Sequence, residues 1–179
     1  MRRIAIVTMG GSGKSGGWKS WPEIWALGHH RGVSEHATRL FEVHDPSIWN
    51  QWCGHDYVER LNALEIPVWM REPHHSIKPA VQLPVDEIAS EFMDYFTSSM
   101  AYELGLIALE HVRGDEVEEV GLYGVDLHHQ SEYNFERPCV EFWLGILYCL
   151  GIKIFVAEGS KLFSSPYPGR YGELPKSAS

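Results

Sequence analysis

The chain is short of positive charge. Fifteen Lys and Arg face 24 Asp and Glu, for a formal net charge of −9 and a pI near 5.5. Duplex nucleic acid is gripped by clustered cations that displace counterions from phosphate, so global charge argues against a duplex partner, although a local basic patch is still allowed. Long apolar runs are missing as well. No stretch reaches the roughly 18 to 20 residues that a spanning helix needs, and MRRIAIVTMGG carries too short an apolar core for a signal peptide. No membrane partner and a cytoplasmic location are therefore expected. Cysteine is scarce: Cys53, Cys139 and Cys149 are odd in number and lack paired metal-ligand spacing, which fits reduced thiols in a cytosolic protein better than a disulfide framework. Internal repeats and low-complexity blocks are also lacking.

What is present, in 179 residues, is enough chain for one core without staples. Residues 1–163 are expected to form a single domain, and 164–179, rich in Pro, Gly and Ser, an irregular tail. Apolar runs predict six strands: Arg3 to Met9, Trp21 to Gly28, Ala37 to His44, Ile66 to Met70, Glu119 to Val125 and Ile152 to Ala157. Helical spacing is expected over His55 to Leu64, from Thr97 through the apolar run ending in EHV, and over Pro138 to Leu150. Three prolines between Arg71 and Pro84 predict an irregular loop over the sheet. Continuous apolar strands alternating with helices predict an α/β fold: three layers, a mostly parallel sheet of about six strands, helices on both faces. In such folds ligands sit outside the carboxyl ends of the strands.

That edge collects the residues able to do chemistry. Strand one feeds GGSGKSGG, whose Gly10, Gly11, Ser12 and Gly13 form a glycine loop able to approach a nucleotide. Gly13-Lys14-Ser15 matches part of a Walker phosphate loop, but Thr8 stands where that motif needs Gly, and Gly16-Gly17 follow where its helix should begin. Histidines mark the strand ends: His29-His30, His44 beside Asp45, His74-His75 and His128-His129. No pair has the helical spacing of a zinc motif, so no metal site is assigned, while Mg or Mn stays open as a cofactor. Asp126 closes the fifth strand, a place that suits a carboxylate meeting a ribose hydroxyl or a metal-bound diphosphate, and suits a capping or loop-solvated Asp as well. Thr97, Ser98 and Ser99 open a buried helix whose free amides and hydroxyls suit an anion or ribose, and they suit plain capping equally. Glu141, in the next helix, is a carboxylate placed for base chemistry or for the helix dipole. Arg137 and Tyr133 suit phosphate oxygens, or Arg137 pairs with Glu132 or Glu136.

Taken in order, IAIVTMGGSG, WPEIWALG, TRLFEVHD, IPVWM, DYFTSSMAYELGLIAL, GLYGVDL, SEYNFERPCVEFWLG and GIKIFVAEGSKLF resemble a group of Rossmann-like proteins found mostly in bacteriophages, which would place the protein in a host cytoplasm. The later half is similar, more distantly, to bacterial family-42 sialyltransferases and to pterin diphosphokinases of related fold. In those sialyltransferases a Thr-Ser-Gly at a helix start contacts the cytidine nucleotide, and the next strand ends in a Gly-Ile-Asp-Phe-like sequence. The matching positions are Thr97, Ser98 and Ser99, with Ser99 replacing the glycine, and Gly124, Val125, Asp126 and Leu127. The resemblance implies the fold and nucleotide or nucleotide-sugar binding by a glycosyl- or diphosphotransferase-like protein; in the reading of the residues that joins it, Asp126 orients a hydroxyl or metal and His44 or Glu141 is the candidate base. Two alternatives stay open: a non-catalytic protein that binds or sequesters a nucleotide, and a Walker-type kinase. Self-association into a homo-oligomer is compatible with everything above.

Overall fold

A computed structural model of the chain describes residues 1–28, 31–127, 133–160 and 162–163. Its centre is a parallel sheet with one more strand than the apolar runs predict. The strands are β1 (Arg2–Val7), β2 (Glu23–Leu27), β3 (Arg39–Glu42), β4 (Val68–Met70), β5 (Ala80–Gln82), β6 (Val117–Tyr123) and β7 (Lys153–Val156), in the spatial order β5-β4-β3-β2-β1-β6-β7. Every neighbouring pair is parallel. The additional strand is β5, inside the stretch expected to be an irregular loop. Its three residues, AVQ, are flanked by Pro79 and lie on an edge, where one side of the backbone needs no ladder partner. From β1 the chain builds outward to β5 and then returns to lay β6 on the other side of β1. The order therefore reverses between β1 and β6, which is where such sheets open a ligand crevice.

The helices are α1 (Arg31–Ser34), α2 (Trp49–Cys53), α3 (Tyr57–Asn62), α4 (Val85–Glu91), α5 (Ser99–Val112) and α6 (Tyr133–Cys149). Helices α4, α5 and α6 cover one face, enclosing Ile4, Ile6, Trp25, Phe41, Leu104, Ile107 and Trp143. The other face is covered by shorter pieces. Trp18, Trp21 and Val33 pack over β1, β2 and β6, while Trp49, Tyr57 and Leu61 pack over β3 and β4. The three-layer α/β reading holds, with two amendments. Helix α6 starts at Tyr133, so Pro138 lies inside it rather than in its first turn. The link from β1 to β2 contains no α-helix: Gly11–Ser15 and Gly17–Ser20 are single 3-10 turns, separated by Gly16 at φ 71°. A Walker loop would feed an α-helix at this point. The tail from 164 lies outside the described residues.

The amino-terminal edge of the sheet is closed by charge. The Arg2 guanidinium forks onto both oxygens of Glu23 at 2.6 Å and reaches Glu110 at 2.8 Å and Asp115 at 2.5 Å. Arg39 reaches Glu110 at 2.5 Å and lies over the rings of Trp25 and Trp69. Burial pushes the Glu23 carboxyl up, but its bonds to Arg2 more than reverse this and hold it below the usual range. Bidentate charge pairs of this kind fix geometry. They pin the end of α5 to the starts of β1 and β3, so the start of α5 is fixed at the opposite, carboxyl edge. Among the described residues no helix is long and apolar enough to cross a membrane.

Candidate functional site

The glycine loop is held against the end of β6 by backbone contact. Gly10 N donates to Gly124 O at 2.9 Å, and Thr8 Oγ1 donates to the same oxygen at 2.5 Å. Gly124 sits at φ 75°, and a Cβ there would lie 2.2 Å from Thr8 O; a Cβ on Gly10 would lie 2.1 Å from Gly124 O. Only glycine permits this approach at either position. Asp126 then locks the pair. Its Oδ1 accepts from Ser12 Oγ at 2.5 Å and its Oδ2 from Ser12 N at 3.2 Å, while Gly124 N donates to Ser12 Oγ at 2.9 Å. Leu127 follows at φ 38°, unusual for a side chain branched beyond Cβ and a local store of strain.

Above this junction lies a cavity of about 680 Å³. It is lined from β1 by Thr8, Met9 and Gly10, from the end of β6 by Gly124 to Leu127, from α5 and its approach by Phe96 to Met100 and Tyr102, and from the end of β3 by Val43 and His44, with Leu27, Trp52 and Glu136 completing it. The expected residues Gly10, Thr97, Ser98, Ser99, Asp126 and His44 thus share one cavity. Gly11, Ser12 and Gly13 are not among its lining residues; Ser12 holds Asp126, and Gly13 N donates to Gly10 O. Arg137 and Glu141 are not among its lining residues. They pair with each other at 2.8 Å on successive turns of α6, and Glu141 also accepts from Phe163 N. His74 lines a neighbouring cavity, where its Nδ1 meets Ser76 Oγ at 2.7 Å. His29, His30, His128, His129 and Glu132 lie outside the described residues, as does the side chain of Tyr133.

The α5 hydroxyls do not cap their helix. Ser98 occupies the cap position in extended conformation without a side-chain capping bond. Thr97 Oγ1 instead donates to Phe135 O at 2.9 Å, and Ser98 Oγ reaches Glu136 at 3.5 Å. Both hydroxyls tie α5 to the start of α6, and the first amides of α5, which have no intrahelical acceptor, are left at the cavity.

His44 owes its position to a residue that the sequence reading passed over. Glu42, with no side-chain exposure, accepts from His44 Nδ1 at 2.7 Å and from His44 N at 2.8 Å, and also from the hydroxyl of Tyr57. The bond to Glu42 raises the His44 pKa above its ordinary value, against the opposing effect of burial. The Tyr57 hydroxyl is likewise pushed up, by burial first and then by the Glu42 charge. Residues two apart on a strand share a face. Glu42 two before His44 was therefore a readable signal, hidden because a Glu in an alternating run looks solvated. Trp52, 61% exposed at the cavity, meets His44 edge to face at 5.6 Å. Among the described residues no group of three or more His, Cys, Asp or Glu is placed to hold a metal.

Neither a protein-family model nor a curated protein sequence matches the chain. Among solved structures, the fold is similar to that of the sialyltransferase CstII from Campylobacter jejuni, determined in complex with a substrate analogue, cytidine-5'-monophosphate. The TM-score is 0.53 at 13% identity, covering 89% of this chain and 81% of that one. At that identity the likeness establishes the class of fold alone, a Rossmann-like α/β sheet.

Proposed function

We propose that the protein binds a nucleotide or nucleotide sugar in the 680 Å³ cavity and acts as a glycosyltransferase-like transferase, with His44 as its proton-transferring residue. The observation that carries this reading is the Glu42–His44 pair. A buried carboxylate fixes Nδ1 of the imidazole and turns Nε2 the other way, at the wall of a cavity large enough for a nucleoside. The remaining lining fits a hydroxylated ligand: Asp126 and Glu136 accept from ribose or sugar hydroxyls, Ser98 and Ser99 donate or accept, and Phe96 and Trp52 offer apolar ring surface. The likeness to a fold solved with a cytidine nucleotide supports the ligand class.

In the transfer, the acceptor oxygen forms the new bond to the transferred carbon. The bond from that carbon to a phosphate oxygen breaks, its electron pair leaving with the phosphate, and the hydroxyl proton passes to Nε2 of His44. General base catalysis of this kind contributes about 10²- to 10⁴-fold. Positioning in the cavity supplies the remainder.

A second reading, a protein that binds or sequesters a nucleotide without turning it over, is favoured by one observation: the bonds of Asp126 to Ser12 explain its position without any reaction. Thermal shift against a panel of nucleotides and nucleotide sugars tests the shared binding claim, since ligand at 100 times its Kd adds about 2.7 kcal/mol. A panel in which nothing raises the melting temperature overturns both readings. Mass spectrometry of bound ligand after incubation with sugar acceptors separates them: transfer that falls at least 100-fold in His44→Ala is expected, and unchanged ligand in the wild type leaves only the second.

A further inference from the structure

The cavity has a neighbour. A second one, of about 500 Å³, opens over the carboxyl ends of β3, β4 and β5, and Val43, His44 and Tyr102 line both. His44 therefore stands at the divide of a two-part groove. Charge is split unevenly between the parts. The first contains the carboxylates of Asp126 and Glu136, and neither Lys nor Arg is among its described lining residues. The second contains Arg71, the one Lys or Arg among the described residues lining either part.

Arg71 is exposed and makes no hydrogen bond or ion pair with a described residue. Asp45, Glu72 and Asp86 line the same cavity, yet none of them engages it. Asp45 is already committed, accepting from Ser47 N at 2.8 Å. The field of Arg71 reaches both His44 and Asp45, which places the guanidinium near the divide. A guanidinium presents a planar fork of donors matched to the oxygens of phosphate. Carboxylates line both parts, Glu42, Asp45, Glu72 and Asp86 the second and Asp126 and Glu136 the first, so what sets the second apart for a phosphate is the guanidinium.

We infer that the second cavity receives the phosphate of the ligand on the guanidinium of Arg71, while the uncharged hydroxylated part occupies the first, so that His44 lies beside the phosphate at the junction. This rests on the nucleotide reading of the first cavity and adds a direction to it: nucleoside toward Asp126, phosphate toward Arg71. Glu72 and Asp86, exposed on the same rim, restrict the site to one phosphate group rather than a long polyanion.

Calorimetry with matched pairs, cytidine against cytidine-5'-monophosphate and likewise for uridine and adenosine, tests it on the wild type and on Arg71→Gln and Arg71→Lys. The wild type is expected to prefer the monophosphate about tenfold, the size of one charge-assisted hydrogen-bonded contact. Arg71→Gln should erase that preference by weakening the monophosphate alone, with nucleoside affinity and melting temperature unchanged, and Arg71→Lys should keep part of it. A preference that survives in Arg71→Gln overturns the inference and moves the phosphate to the start of α5. Equal binding of nucleoside and monophosphate by the wild type overturns it too, while leaving the first cavity as a nucleoside site. If no member of any pair binds, the nucleotide reading falls and the inference falls with it.

Discussion

At the scale of single residues, the proposed chemistry rests on His44 and the buried carboxylate that holds its ring. Because the folded protein holds the His44 proton more tightly than the unfolded chain, this group adds stability below its ordinary value of 6.5, and that stability is lost as pH rises through the raised value. The free energy of unfolding measured from pH 6 upward should decline less steeply in His44→Gln than in the wild type, the remaining slope belonging to other buried groups. The same proton sets activity if His44 is the base: kcat/KM should rise as pH passes the raised pKa. Glu42→Gln, which keeps an acceptor for Tyr57 but removes the charge, should move that limb to lower pH. A limb that stays in place in Glu42→Gln would separate His44 from the rate. Half of this pair was legible. His44 at a strand end beside Asp45 was visible in the sequence, whereas the burial of Glu42 depends on Tyr57, fifteen residues on, closing over it. No local pattern encodes that contact.

At the scale of elements, the site is a junction between the loop after β1 and the end of β6. The sequence marks both halves, GGSG as a flexible loop and GVD as a strand end, but reads each separately. Their contact is between backbones, which leave no periodic trace in sequence. The structure makes Gly10 and Gly124 mutually dependent, and Ser12 the clasp. Gly124→Ala should destabilise the protein by about 1–3 kcal/mol, the cost of a strained backbone conformation, because its φ of 75° and the carbonyl of Thr8 both exclude a side chain. Ser12→Ala, which removes the hydroxyl between Asp126 and Gly124 N, should cost about 1 kcal/mol. Denaturant midpoints report both, and a Gly124→Ala midpoint equal to wild type would mean that the loop is free of β6 in solution. The short edge strand β5 escaped detection for a related reason. Three residues beside a proline carry no periodicity, and their pairing is fixed by β4.

At the scale of the whole molecule, the two edges of the sheet divide the labour. Alternating apolar runs were enough to read a parallel sheet and to direct the search to its carboxyl edge. They contain nothing about strand order, so the reversal between β1 and β6 became visible only in the fold. One residue lies between the edges and belongs to neither. Glu103 is completely buried in α5, and neither of its carboxyl oxygens has a hydrogen-bond partner among the described residues. It shares a helix face with Glu110, seven residues on, which is bound to Arg2 and Arg39 at the amino-terminal edge. Burial pushes the Glu103 carboxyl well above its ordinary value of 4.5, so the folded state keeps a proton that the unfolded chain releases. The unfolded state then binds fewer protons at every pH between those two values, and global stability must fall as pH rises across that window. Glu103→Leu removes both the titration and the unsatisfied oxygens. It should make the decline shallower, leaving the part due to His44, and, at neutral pH, raise stability by about 1–3 kcal/mol, the desolvation cost of an unpaired buried polar group. Glu103→Gln should lose the Glu103 share of the pH dependence, keeping that of His44, and should keep most of the desolvation cost. Urea unfolding of the three proteins from pH 5 to pH 8 resolves these effects. A Leu variant less stable than wild type at neutral pH would mean that the carboxyl is partnered in the folded protein and helps to hold α5 against the sheet beneath the cavity.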